Sequence, residues 1–274
     1  MNTVEILKEL IRIPSFVDGE HNEVEIADYI ENFLRENTKY KFVTQQVEGN
    51  RRNILVFNKS NPKIALFGHM DTVLPKAETD KPFEPRIEGD KLYGLGSVDM
   101  KGGLAIMLKL ATEIDSDDFA LVFSVDEEYD FKGAKKMMEI SDFHPKTIIN
   151  VEPTDKKILN GCRGITEFSF DLFGKSAHAG TKHIGINAIE SVIAINEYLQ
   201  QELSKYDSPS LKTTTNLAFI HGGILEKTEN GELLVKSMGN VVPDFAKTVI
   251  EIRLANKNID KDVILNIVTK KSIE

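Results

Sequence analysis

The sequence contains no tryptophan and a single cysteine, Cys162. One thiol closes no internal disulfide, so the fold rests on packing, and an unpaired thiol suits a reducing compartment. Long apolar runs are missing as well, since no stretch approaches the roughly 20 residues that a membrane span requires. The opening MNTVEILKELIRIPS is amphipathic with interspersed acids and lacks the apolar centre of a signal peptide. Both absences favour a cytoplasmic location and no membrane partner. Positive charge is in deficit: 34 Lys and Arg stand against 43 Asp and Glu, for a net charge of −9. That balance argues against nucleic acid as a partner. Internal repeats, low-complexity tracts and long linkers are also absent. What is there, 274 residues of which 41% are apolar, suffices for two ordinary domain cores.

Apolar residues recur at helical spacing at Val4, Ile6, Leu7, Leu10 and Ile11 up to Pro14, and again at Val24, Ile26, Ala27, Ile30, Phe33 and Leu34. Runs at 52–57, 63–68, 119–125 and 147–151 read as strands; those at 63–68 and 119–125 are unbroken, as in a sheet covered on both faces. Helical stretches at 101–114 and 133–140 separate them, so the first part of the chain reads as a doubly covered α/β sheet. After Glu152 the texture changes. Residues 165–173 alternate as a half-buried strand, 184–204 carry a helix, 213–221, 233–238 and 246–254 are strand-like, and 259–268 fits another helix. This is the pattern of a smaller α+β domain with one solvated sheet face. The boundary falls between Lys156 and Gly161, giving domains 1–158 and 159–274.

Acids and histidines sit at the ends of the apolar runs, where an open parallel sheet gathers its ligands. In Gly68-His69-Met70-Asp71, alternate residues of an extended segment share a side, so His69 can bind a metal through one nitrogen while Asp71 fixes the other. Alone, the motif is equally a satisfied loop histidine. Asp99 follows Gly94-Leu95-Gly96 and precedes the 101–114 helix; it can bridge two cations or simply cap that helix. The Gly-x-Gly lacks the third glycine of a nucleotide fingerprint. Glu127 and Glu128 follow the 119–125 strand, and neighbouring extended residues point in opposite directions, so one can ligate a metal while the other faces its water. An isolated acidic pair is ordinarily a solvated strand end. Glu152 follows Ile148-Ile149-Asn150-Val151 in the same manner. Three apolar runs ending in potential ligands point to a two-metal hydrolase. On their own, His178 in Ser176-Ala177-His178 reads as an exposed loop histidine and Arg253 as a surface strand residue.

As a set, in this order, the motifs resemble the zinc-dependent family of acetylornithine deacetylase, succinyl-diaminopimelate desuccinylase, aminoacylase and carboxypeptidase G. Tyr93-Gly94-Leu95-Gly96 and Asp99-Met100-Lys101-Gly102 are most like the deacetylase branch, and the resemblance runs from the first helix to about Arg253. It implies a mixed-sheet catalytic domain and a smaller ferredoxin-like lid domain through which a homodimer forms. It implies that His69, Asp99 and Glu152 hold one zinc, that Asp99 bridges to a second held by Glu128, and that cobalt can substitute. Glu127 would be the general base, Asp71 would orient His69, and His178 would meet the oxyanion from the partner subunit. Asn240 and Arg253 would grip the substrate carboxylate. By the same resemblance, glutamate at position 152, where the family's peptidase branches tend to carry aspartate, implies deacylation over peptide cleavage.

The family pattern departs at one point. Its catalytic domain resumes after the smaller domain and brings a histidine to the second zinc, and none follows Arg253 here; His21, His144, His183 and His221 lack the context. The expectation is therefore an incomplete catalytic domain, a second zinc site short of a ligand, and a sheet edge exposed to dimerisation or aggregation. Three functions follow in order: an amidohydrolase acting on N-acyl amino acids, a catalytically impaired metal-binding or dimerising homologue, and a dipeptidase or carboxypeptidase acting on short peptides.

Overall fold

The computed structural model describes residues 1–273, which form two compact units dividing between Ile158 and Leu159. The first contains α1 (Thr3–Arg12), α2 (Val24–Asn37), β1 (Phe42–Glu48), β2 (Arg51–Val56), β3 (Ile64–His69), β4 (Arg86–Glu88), β5 (Lys91–Tyr93), α3 (Lys101–Glu113), β6 (Phe119–Ser124), α4 (Lys132–Met137) and β7 (Thr147–Asn150). Its main sheet has the order β1-β2-β6-β3-β7. β3 runs parallel to both β6 and β7, whereas β2 is antiparallel to β1 and β6, so the sheet is mixed.

Strand alternation divides the apolar runs between two faces. Ile54, Val56, Leu66, Leu121 and Phe123 pack with Ile6, Leu10, Ile26, Ile30, Leu34, Leu104 and Leu108 of α1 to α3. Leu55, Ala65, Ala120 and Val122 face the other way, against Phe143, Met137 and Ile140. Each fully buried Leu or Ile contributes about 1.5–3 kcal/mol, and every residue of β6 is buried. This central strand is consequently the rigid axis of the unit. Helix α3 approaches closely because of a glycine: a Cβ at Gly103 would lie 2.7 Å from the Val151 carbonyl oxygen. β7 forms where its apolar run lies, but at the sheet edge, with Ile148 and Ile149 about half exposed.

The second unit contains β8 (Gly164–Phe173), a 3-10 turn at Ala179–Ile184, α5 (Ala188–Ser204), β9 (Thr214–Lys227), β10 (Leu233–Lys236), β11 (Phe245–Leu254) and α6 (Lys261–Ile273). The sheet, β10-β9-β11-β8, is antiparallel throughout. Leu199 and Leu203 of α5 and Ile264 of α6 pack on Ile250 and Ile252 of β11. The exposed positions that alternate along β8 leave the opposite face to solvent.

The helix predicted from 184 starts at Ala188, because Lys175 and Ile186 form a backbone bridge and the Asn187 side chain caps the helix by accepting the Ile189 and Glu190 N–H groups. No helix among the described residues is long and apolar enough to cross a membrane.

Candidate metal centre

Sheet register brings the motifs together. Parallel pairing sets His69 opposite Ser124, so the chain leaving β6 emerges beside the end of β3. On the other side of β3, Phe67 pairs with Asn150 and accepts a hydrogen bond from Val151 N–H at 3.0 Å, which delivers Glu152 next. Asp99 arrives from the start of α3. His69 is 1% exposed, and its Nε2 lies 3.2 Å from Asp99 Oδ1, 3.4 Å from Glu152 Oε1 and 3.9 Å from Glu127 Oε2.

Asp71 organises this centre from beneath. Its backbone carbonyl is 3.0 Å and its carboxylate 3.5 Å from His69 Nδ1, leaving Nε2 to face the acids. The two carboxylate oxygens of Asp71 accept the backbone N–H groups of Glu127 at 3.1 Å and Glu128 at 2.8 Å. Sequence spacing suggested the contact of the Asp71 carboxylate with His69, but neither the nearer backbone carbonyl nor the two N–H bonds.

Two local expectations change. Glu127 and Glu128 lie in a turn rather than an extended segment, because Asp126 adopts a left-handed backbone with φ of 67°. Their side chains therefore do not alternate across a strand. Asp99 does not cap α3 either: the N-cap is Met100, with no side-chain cap bond, and the peptide between the two is cis.

The charges are unbalanced. Burial alone would lower the His69 pKa, but hydrogen bonds to Asp71 and Asp99 outweigh it and push it up to about 11. Hydrogen bonding to His69 holds Asp99 below the usual carboxylate range. Burial, reinforced by the neighbouring acids, pushes Glu152 up to about 7 and raises Glu127 and Glu128 as well.

Donor atoms of His69, Glu127 and Glu152 lie within 4.8 Å of one another, as do those of His69, Asp99 and Glu128. Both sets use His69, and its single inward nitrogen serves one ion. One imidazole with several carboxylates and no thiolate fits a divalent cation such as zinc or cobalt. Among the described residues no other histidine joins either set. His21 pairs with Asp18, and His144 Nε2 lies 2.6 Å from the Ser141 carbonyl. His183 sits in the 3-10 turn and His221 on β9.

A cleft of about 680 Å³ adjoins the centre, lined by Thr72, Val73, Arg86, Tyr93, Asp99 and Glu128 among others. That volume falls within the range of small-molecule sites, about 300–1,000 Å³.

The remaining predicted residues lie in the second unit. The loops bearing His178 and Asn240 are joined: His178 bridges Val241, and Ala179 N–H donates to the Asn240 carbonyl at 2.8 Å. His178 Nδ1 accepts the Gly180 N–H at 3.0 Å, so the neutral ring carries its proton on Nε2. Arg253 is exposed near the far end of β11, paired with Glu251 at 2.8 Å. Phe245 to Arg253 spans roughly 26 Å at about 3.3 Å per residue.

Three buried charges escaped the sequence reading. Lys101 is 1% exposed, donates from Nζ to the Ile13 carbonyl at 2.7 Å, and is pushed down to about 7 by burial. Glu23 and Arg51 are buried beside Asp126. Adjacency of Asp126 to the double glutamate was the only sequence signal for that pair.

The chain resembles known proteins in sequence and in fold. The acetylornithine deacetylase of Buchnera aphidicola is 28% identical over 242 residues, covering 80% of this chain and 62% of that protein. A probable carboxypeptidase of Aspergillus clavatus is 29% identical over 273 residues, covering 90% of this chain and 61% of that protein. The chain thus spans less than two thirds of the length of these curated relatives. A Staphylococcus aureus tripeptidase structure superposes with a TM-score of 0.68 at 21% identity, covering 99% of this chain and 72% of that one. Residues 65–241, which carry every strand end of the centre, match the model of peptidase family M20/M25/M40, and the chain belongs to that family.

Proposed function

We propose that this protein is a zinc-dependent amidohydrolase that cleaves the amide bond of N-acyl amino acids. The observation that carries the reading is the convergence on His69 Nε2 of Asp99, Glu127 and Glu152 oxygens at 3.2–3.9 Å. His69, Asp99 and Glu152 would hold one cation, and Asp99 with Glu128 a second, more weakly bound for want of a third protein donor among the described residues. A divalent cation there supplies Lewis acidity toward water and toward the amide carbonyl.

Glu127 takes the proton of the attacking water as its oxygen bonds to the carbonyl carbon. It returns that proton to the nitrogen as the C–N bond breaks, and the second proton of the water passes from the new carboxyl group to the amine, releasing the carboxylate and the ammonium. The raised pKa of Glu127, caused by burial, suits a group that must both accept and return a proton. His178 donates from Nε2 to the oxyanion, and Asn240 and Arg253 take the substrate carboxylate. Arg253 stands roughly 26 Å along β11 from Phe245, the strand end that follows the Asn240 loop, so a shared grip on one carboxylate is more readily supplied by two copies of the chain, which supports a homodimer as the working form.

The deacetylase name among the relatives favours acyl amino acids, and the family resemblance reads the glutamate at position 152 the same way. The carboxypeptidase and tripeptidase names favour a second reading, cleavage of short peptides. Free amine released from N-acetyl amino acids and from dipeptides, at equal concentration with added zinc, separates them. Glu127→Gln is expected to lower kcat by about 10²–10⁴-fold on the true substrate. Unchanged turnover in that variant removes the mechanism.

A further inference from the structure

The turn that presents the two glutamates is held by a buried ionic cluster drawn from distant parts of the chain. Arg51, the first residue of β2, donates from Nε to Glu23 Oε2 and from Nη2 to Glu23 Oε1, each at 2.6 Å. The same Nη2 reaches Asp126 Oδ1 at 2.6 Å. Glu23 Oε1 also accepts the Asp126 backbone N–H at 3.0 Å, and Asp126 Oδ2 accepts those of Asp130 and Lys132 at 3.1 and 3.2 Å. The side chains are 0%, 7% and 2% exposed for Glu23, Arg51 and Asp126. Asp126 is the residue with φ of 67°, a backbone state that non-glycine residues adopt uncommonly. Its reversal of the chain sends the Glu127 and Glu128 N–H groups onto Asp71.

Stability is a poor account of such a cluster. Desolvation offsets much of the attraction in a buried ion pair, and apolar replacements of similar volume are often neutral. Here one guanidinium also faces two buried carboxylates and, at 3.0 Å, Glu48. Its hydrogen bonds instead define a direction, since the planar fork of arginine fixes each acceptor in place.

We propose that Glu23 and Arg51 are positioning residues: by hydrogen-bonding Asp126 they set the turn that aims Glu127 and Glu128 at His69. The proposal rests on the assignment of Glu127 as base and Glu128 as ligand. It deepens that assignment by naming what holds both acids in place. Lysine at position 51 keeps the charge and loses the fork. Glutamine at position 23 keeps an acceptor for the Asp126 N–H and loses one acceptor for Arg51, so it is the milder change.

The test uses the full chain as Arg51→Lys and Glu23→Gln, with Glu128→Gln as reference. Thermal midpoint, cobalt affinity from visible absorption, and kcat and KM are measured where circular dichroism shows each variant folded. Both positioning variants are expected to weaken cobalt binding by about tenfold or more, the scale of outer-shell changes, and to lower kcat with little change in KM. If they lower only the thermal midpoint, leaving cobalt affinity and kcat at wild-type values, the cluster is merely structural and the proposal is overturned. If Arg51→Lys does not fold, Glu23→Gln alone decides between these outcomes. If Glu128→Gln itself leaves cobalt binding unchanged, the ligand assignment falls, and the proposal falls with it. If Glu128→Gln weakens binding and the positioning variants do not, only the proposal falls.

Discussion

The two ends of β6 carry acids in opposite electrostatic states. At its entry, Asp118 is bonded to Lys59 and lies 2.7 Å from Lys63, and the two ammonium groups pull its pKa down to about 2. At its exit, Asp126 is answered by Arg51, but Glu127 and Glu128 join Asp99 and Glu152 around one imidazole, and three of those four acids are pushed upward. The entry balances its charge with its own side chains. The exit leaves an excess of negative charge that a bound cation would neutralise, and like charges held this close are tolerated where binding, not stability, is served.

The largest way to break this contrast is His69→Ala, which removes the one imidazole that reaches the centre among the described residues. Removing partners of metal ligands costs about 10–100-fold in affinity, so losing the ligand itself should exceed roughly 100-fold. Calorimetric zinc titration checks this, and the buried Asp71 left without its histidine should also lower the thermal midpoint. Asp71→Asn comes next. The N–H groups of Glu127 and Glu128 are accepted by different oxygens of Asp71, so an amide in the same geometry turns an NH2 toward one of them and loses that bond, and metal affinity and kcat should each drop by about 10–100-fold. Values equal to wild type would show that the turn needs no such anchor.

Much of the first unit was legible because burial on both faces writes continuous apolar runs, as in Ala65-Leu66-Phe67 and Leu121-Val122-Phe123. His69, Glu127, Glu128 and Glu152 could be placed at or just beyond the ends of apolar runs from their positions in the chain alone, and Asp99 between a glycine turn and α3. β1 went unread because Phe42-Val43-Thr44-Gln45-Gln46-Val47-Glu48 is partly exposed and half polar. The hairpin of β4 and β5 escaped because three residues carry no period. β9 runs through Gly222 and Gly223, past the expected strand end at 221. A Cβ at Gly222 would meet the Phe245 carbonyl oxygen at 2.7 Å, so glycine there permits close packing. The pairing of Glu23, Arg51 and Asp126 was invisible for a different reason: long-range charge partners leave no local spacing to read.

A change that sharpens the contrast without removing the imidazole is Glu152→Gln. It deletes one negative charge from the crowded end, so the metal-free protein should gain stability, by about 0.5–2 kcal/mol on the scale of relieved functional strain. The same variant should bind zinc more weakly. Chemical denaturation in the presence of a chelator, beside a zinc titration, reads both. A metal-free variant less stable than wild type would mean that the acids at this end are paired rather than crowded.

The smallest effect belongs to the balanced end. Asp118 has a folded pKa of about 2, below that of an ordinary carboxylate, so its contribution is present above about pH 4 and fades as pH falls toward 2. Thermal midpoints of wild type and Asp118→Asn should therefore differ slightly near neutral pH, converge in acid, and converge again in high salt, since surface pairs are weak and screened. Zinc affinity should be untouched, because the intervening strand is buried throughout and carries no charge from one end to the other. A shift in zinc affinity in Asp118→Asn would mean that the two ends of β6 act as one electrostatic unit, and the contrast between a self-balanced entry and a cation-requiring exit would have to be abandoned.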